Sequence, residues 1–243
     1  TIFYGASAMN PTRLVEGINK WGQIFYQFFG QSECPMVISN MTRKEHDLSK
    51  PERLSSCGRP SPWIHLSLLD SDGNEVPRGE PGEICIRGPL IMKGYKDMPE
   101  QTAEAFLGGW LHTGDVGKLD DEGFLYIVDR TKDMIVTGGF NVFPREVEDV
   151  LGTHEAVGQV IVIGVPDEQW GEAVKAVVVL KPDFKASEEL ISSMQALVKK
   201  AKGSVQSPKS IDFVAAIPLT PVGKPDKKTV RAQYWADSDR GVG

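Results

Sequence analysis

The sequence predicts a mixed α/β and α+β protein in two domains that meet near residue 130. Three observations point there. Residues 1–40 alternate strand-like and helix-like stretches. Residues 55–128 place Gly or Pro every few positions between short strand-like segments, the pattern of a small antiparallel sheet or barrel. Residues 130–243 return to helical and strand periods of ordinary length.

The elements follow in order. Ile2–Tyr4 is apolar and aromatic, and Gly5-Ala6-Ser7-Ala8 suits a tight loop. Pro11 opens a helix with Leu14, Val15, Ile18 and Trp21 at helical spacing. Ile24–Phe29 is strongly β-prone and leaves into a loop at Gly30. In the middle section, His65–Leu69 precedes the turn Asp70-Ser71-Asp72-Gly73, Gly82–Arg87 alternates, and Phe124–Val128 follows Asp120-Asp121-Glu122-Gly123. Beyond Gly138-Gly139, Pro144 opens a helix to Leu151 with Val147, Val150 and Leu151 on one face. Strands are expected at Val157–Val165 and Ala173–Leu180. A helix over about 187–202 starts at Ser187 with Glu188-Glu189 and ends near Lys199-Lys200. Ile211–Val214 suits a short strand, and a Pro-, Gly- and Lys-rich tail begins at Pro218.

Composition bounds the function. At 40% hydrophobic and 25% charged residues, the chain is ordinary globular protein, long enough for one large domain or two modest ones. Its net charge of -6 gives no basic surface for nucleic acid. Cys34, Cys57 and Cys85 are odd in number and lack close metal-type spacing, so they read as reduced thiols of a cytoplasmic protein. The longest apolar runs, Val160–Val165 and Ala176–Leu180, are too short for a transmembrane segment. A chain that opens with Thr1 inside a strand-like run reads as part of a longer protein.

Four segments carry chemistry. Phe29–Pro35 (FGQSECP) puts Ser32 and Glu33 at a strand tip, where open α/β sheets bind ligands, and a carboxylate there suits Mg²⁺ shared with substrate phosphates. Trp110–Asp115 (WLHTGD) reads as a sharp turn presenting Asp115, whose carboxylate can accept from both hydroxyls of a ribose. Asp129–Asp149 joins Arg130, a planar cation for ribose and phosphate oxygens, to Gly138-Gly139, which permits close backbone approach to a ligand. Pro218–Lys228 (PLTPVGKPDKK) holds Lys224, a point charge able to stabilise charge developing on a transferring phosphoryl group. Each segment alone also fits a plainer reading. These are a solvated loop acid, a turn aspartate bonding its own backbone, a surface salt-bridge cluster before a β-turn, and a solvated basic tail.

With Gly82–Tyr95 (GEICIRGPLIMKGY) and Ile163–Glu172 (IGVPDEQWGE), these segments in this order resemble the adenylate-forming superfamily over essentially the whole chain. The closest likeness is to its acyl-CoA synthetase, or fatty-acid–CoA ligase, branch. That resemblance implies ATP-dependent activation of a carboxylic acid to an acyl-adenylate, then thioester formation with coenzyme A, with Mg²⁺ as cofactor. It implies the end of an α/β subdomain over 1–45 and a small β-barrel over 50–128, together closing the large domain at 129. A mobile α+β domain would follow over 130–243. It also implies roles. Gly5 and Ala6 line the adenine site, Ser32 touches phosphate, and Glu33 holds Mg²⁺. Asp115 binds the ribose with Arg130 assisting. Lys132 is the hinge, Gly138 and Gly139 border the pantetheine tunnel, and Lys224 reaches the carboxylate and α-phosphate.

The sequence departs from the family in two places: Phe29 stands where a Tyr is usual, and Tyr4-Gly5-Ala6-Ser7-Ala8 replaces the more usual adenine-loop sequences. The family's Ser/Thr/Gly-rich phosphate loop lies upstream of these motifs, so the chain alone is expected to lack adenylation activity. His112 favours a CoA ligase over a carrier-protein adenylation domain. That domain, and a non-catalytic AMP-binding module, are the alternatives. The identity of the acid is left open, as is homo-oligomerisation.

Overall fold

The computed structural model describes residues 1–6, 9–221 and 223–235. They form two compact units, Thr1–Val128 and Asp129 onward.

The first unit opens with β1 (Ile2–Gly5), α1 (Pro11–Trp21) and β2 (Phe25–Gln31). β1 and β2 pair in parallel, Ile2 opposite Phe25 and Gly5 opposite Phe28, so α1 is the crossover that parallel pairing requires. The helix begins where the Asn10 side chain accepts the N–H groups of Thr12 and Arg13, with Pro11 in its first turn. Leu14 and Ile18 on its inner face pack with Phe25 and Leu54. Ser7 and Ala8 of the expected tight loop lie outside the described residues.

Where a loop was expected after Gly30, the chain turns at Ser32-Glu33 and returns as β3 (Cys34–Met41), antiparallel to β2. Cys34, Ile38 and Met41 are fully buried, which is what holds this strand. Its pattern is obscured by Pro35 and by Met36, which sits at φ 59° where the β2–β3 register shifts. β4 (Arg59–Pro60) completes the order β1-β2-β3-β4.

The second sheet contains β5 (His65–Leu69), β6 (Gly82–Arg87), β7 (Leu111–Leu119) and β8 (Leu125–Arg130) in that order, with α2 (Pro99–Ala105) between β6 and β7. The expected barrel is therefore an open sheet: among the described residues, no pairing joins β8 to β5. Four strands fall well short of the about eight that enclose a packed interior. Leu125 of β8 instead exchanges backbone hydrogen bonds with Cys57 and Gly58, at 2.8 and 2.7 Å. Ile84, Ile86, Leu111 and Leu125 pack with Cys34 and Ile38, so one core lies between the two sheets.

The second unit runs β9 (Ile135–Thr137), β10 (Phe140–Val142), α3 (Pro144–Leu151), β11 (Val157–Asp167), β12 (Gly171–Leu180), α4 (Glu188–Lys202), β13 (Ser210–Phe213) and α5 (Lys227–Trp235). Its sheet has the order β10-β9-β12-β11, with β13 parallel to β12. Side chains alternate across β11 and β12. Val162, Val174, Ala176 and Val178 face α3 and α4 through Val147, Leu151, Met194 and Val198. Ile161, Ile163 and Val177 face the other way, with Val230 of α5 and Ile217. Within the described residues, the expected tail from Pro218 thus contains a helix, α5. Asp226 starts it by accepting the Thr229 N–H at 3.0 Å. Among the described residues, no helix is long and apolar enough to cross a membrane.

Candidate active site

In the first unit the site gathers at the carboxyl ends of the parallel strands β1 and β2, the edge where α/β sheets take ligands. Gly5 ends β1 so close to its neighbour that a Cβ there would lie 2.3 Å from the Phe28 carbonyl oxygen. Ala6 follows at φ 64°, exposed. Ser32 is exposed and Glu33 half-buried at the β2–β3 turn. The Gly82–Tyr95 segment braces that turn. The Tyr95 hydroxyl donates to Glu33 Oε1 at 2.8 Å, and the Met92 N–H donates to the Glu33 carbonyl at 2.8 Å. The bond to the carboxylate pushes the Tyr95 phenol above its usual range.

β7 is stitched to this edge. Gln31 Nε2 donates to the Thr113 carbonyl at 3.2 Å. The expected sharp turn at Thr113-Gly114-Asp115 is instead an irregularity inside β7, with a register shift against β6 and Gly114 at φ 69°. Thr113 Oγ1 donates to the Ile84 carbonyl at 2.6 Å and accepts the Asp115 N–H at 3.2 Å. Glu83 holds both sides of the bulge. Its Oε1 accepts the Gly114 N–H at 3.0 Å, and its Oε2 lies 2.8 Å from His112 Nδ1. Asp115 is buried. Gly5, Ala6, Ser32, Glu33 and Asp115 thus belong to one unit, and the Gln31 side chain joins the strand before the Ser32-Glu33 turn to the strand of Asp115.

The other expected residues lie in the second unit. Arg130 closes β8, exposed, and Lys132 is exposed in a 3₁₀ turn, Thr131–Asp133. The buried Asp129 carboxylate accepts the N–H groups of Arg130 at 2.8 Å and Arg145 at 2.7 Å, and so caps α3. Gly138-Gly139 form the two-residue connection of the β9–β10 hairpin at φ 57° and 82°, the left-handed pair that such a turn requires. Lys224 is exposed on a tight hairpin, not a loose tail. The Thr220 N–H donates to the Lys224 carbonyl at 2.7 Å and the Lys224 N–H to Thr220 Oγ1 at 3.1 Å. α5 anchors that hairpin through Lys227–Glu148 at 2.7 Å and Arg231–Glu172 at 2.6 Å.

Gln31, Glu83, Tyr95 and Asp129 escaped the sequence reading as functional residues. Gln31 and Asp129 stand inside the segments singled out, but their side-chain partners Thr113 and Arg145 are 82 and 16 residues away. Glu83 sits in an alternating run that reads only as strand, and its partners are 29 and 31 residues distant.

Residues 1–96 match the family of AMP-binding enzymes, and residues 146–224 match the AMP-binding enzyme C-terminal domain. A medium/long-chain-fatty-acid–CoA ligase of Mycobacterium tuberculosis is 56% identical over 247 residues, covering 100% of this chain and 43% of the relative. A fatty acid–[acyl-carrier-protein] ligase of Streptomyces coeruleorubidus is 34% identical over 239 residues, covering 98% and 45%. The crystal structure of ATP-bound MatB from Rhodopseudomonas palustris matches with a TM-score of 0.83 at 30% identity, covering 98% of this chain and 46% of that one. The chain spans less than half the length of each.

Proposed function

Because the chain belongs to the adenylate-forming superfamily of AMP-binding enzymes, we propose that the whole protein is a cytoplasmic fatty-acid–CoA ligase. It joins a fatty acid to AMP at the expense of ATP, then passes the acyl group to coenzyme A. The observation that carries this reading is the hydrogen-bonded edge that sets the Ser32-Glu33 turn beside the strand of Asp115. Asp115 accepts the ribose hydroxyls, and Gly5 and Ala6 border the adenine with Ser32 at the phosphates. Glu33 is the hard oxygen donor that fits Mg²⁺, which neutralises phosphate charge when bound.

Lys224 brings a cation to the acyl carboxylate and α-phosphate, where two anions must meet. Arg130 assists at the ribose. For thioester formation the second unit turns about Lys132, withdraws Lys224, and presents Gly138-Gly139 to the pantetheine arm. The exposed hairpin of Lys224, fixed by α5, suits such delivery by a body that moves as a whole.

A carrier protein is the second candidate acceptor, favoured by the 34% identity to an acyl-carrier-protein ligase. CoA is preferred for His112 and for the 56% identity to a CoA ligase. The test is AMP release by the full-length enzyme with ATP, CoA and a panel of fatty and aryl acids. CoA-dependent release with medium- or long-chain fatty acids is the expected result. Release that needs a carrier protein in place of CoA, or none with any fatty acid, would overturn the proposal.

A further inference from the structure

β6 and β7 bring three unlike donor atoms together beside the bulge. Glu83 and Cys85 are two residues apart on β6, so their side chains leave the same face, and Cys85 stands directly opposite His112 on β7. His112 Nδ1 lies 2.8 Å from Glu83 Oε2 and 3.4 Å from Cys85 Sγ, and the three donors all fall within 4.8 Å of one another. Bonds of about 2.0–2.3 Å around a tetrahedral zinc set neighbouring ligand atoms about 3.3–3.6 Å apart. The sulfur and nitrogen already stand at that spacing, the carboxylate oxygen lies closer than it to the nitrogen, and no pair of the three donors is more than 4.8 Å apart.

We propose that Glu83, Cys85 and His112 form a binding site for one thiophilic divalent metal ion of the zinc class, with solvent as the fourth ligand. The surroundings fit. His112 Nε2 lies 3.2 Å from the Leu107 carbonyl. A proton on Nε2 donated to that oxygen leaves the Nδ1 lone pair for a metal, the second contact by which proteins orient a ligating imidazole. Glu83 keeps Oε1 on the Gly114 N–H while Oε2 faces the other donors. Cys85 is buried, whereas the side chains of Glu83 and His112 are each 24% exposed, which leaves a route for an ion and its water.

The donor set also decides which metal enters. Binding breaks the S–H bond, forms a metal–sulfur bond and releases the proton to solvent. The thiolate and carboxylate together then balance the two positive charges. Zinc-class ions deprotonate a coordinating thiol, and Mg²⁺ prefers oxygen. Among the described residues, no other group of three such donors comes together. Neither the spacing of the cysteines nor any local motif foretold it, because the contact is made across strands.

The probe is Co²⁺, titrated into the protein and read by sulfur-to-cobalt charge-transfer absorption. One equivalent is expected to produce the band, Zn²⁺ to abolish it by displacement, and excess Mg²⁺ to leave it unchanged. Cys85→Ser and Cys85→Ala should each remove the band, His112→Gln should weaken binding at least about tenfold, and Cys34→Ser should leave it intact. No band, a band that survives Cys85→Ser, or one lost in Cys34→Ser would overturn the site. X-ray absorption of the zinc-loaded, unsubstituted protein gives a readout that needs no variant. One sulfur with nitrogen and oxygen neighbours is expected, and a sulfur-free shell would overturn the proposal.

Discussion

Gly138 and Gly139 share one turn but meet different surroundings. Both have positive φ, 57° and 82°. A Cβ on Gly138 would come within 2.6 Å of Trp170 Cε3, whereas one on Gly139 meets nothing within 4 Å. An L-residue in this region costs about 1–2 kcal/mol before any collision. Gly139→Ala should therefore lose about 1 kcal/mol of stability, and Gly138→Ala measurably more, because the Trp170 ring must also move. Urea unfolding of the two variants checks this, and equal losses would contradict the role given to Trp170. The diglycine is plain in the sequence because a turn needs these residues locally. Glu83 is not, since its importance comes from Gly114 and His112 on another strand.

α5 shows how an element disappears from the sequence and what it does once formed. Pro225, Lys227 and Lys228 make the segment look like a solvated tail, and the apolar residues Val230 and Trp235 become meaningful only against β11 and its neighbours. The helix is pinned at its start by Lys227 to Glu148, whose carboxylate also accepts the Val162 N–H at 2.7 Å. Burial holds Glu148 above the usual carboxylate range, while Lys227 pulls the other way. Lys227→Ala removes that pull, so the folded-state pKa should rise further above the unfolded one. The cost of charging Glu148 is then absent below the unfolded pKa and grows as pH rises toward the folded pKa. The variant should lose about 3 kcal/mol at neutral pH and clearly less in acidic buffer. Urea midpoints at the two pH values check the sign, and an equal loss at both would contradict it. α1, α3 and α4 were legible for the opposite reason: Pro11, Pro144 and Ser187 mark their starts within the sequence itself.

For the whole molecule, local pattern carried most of the fold. The alternation of β6, the strand-like runs of β5, β11 and β12, and the starts of α1, α3 and α4 all depend on nearest neighbours. The edge of the β5–β8 sheet is met by backbone from Cys57 and Gly58, and β3 is held by burial of Cys34, Ile38 and Met41 behind a run broken by Pro35, and there the expectation of a barrel and of a loop had to give way. The candidate site divides in the same manner. Glu33, Asp115 and Lys224 stand in recognisable segments, while the groups that hold them, Tyr95, Glu83 and α5, come from elsewhere in the chain. The central claim is that Lys224 serves acid activation and not acyl transfer. Its most direct test is Lys224→Ala in the full-length enzyme, with the two half-reactions measured separately. Acid-dependent pyrophosphate release should fall about 10²–10³-fold, while thioester formation from preformed acyl-adenylate and CoA stays intact. An equal loss in both half-reactions would contradict it.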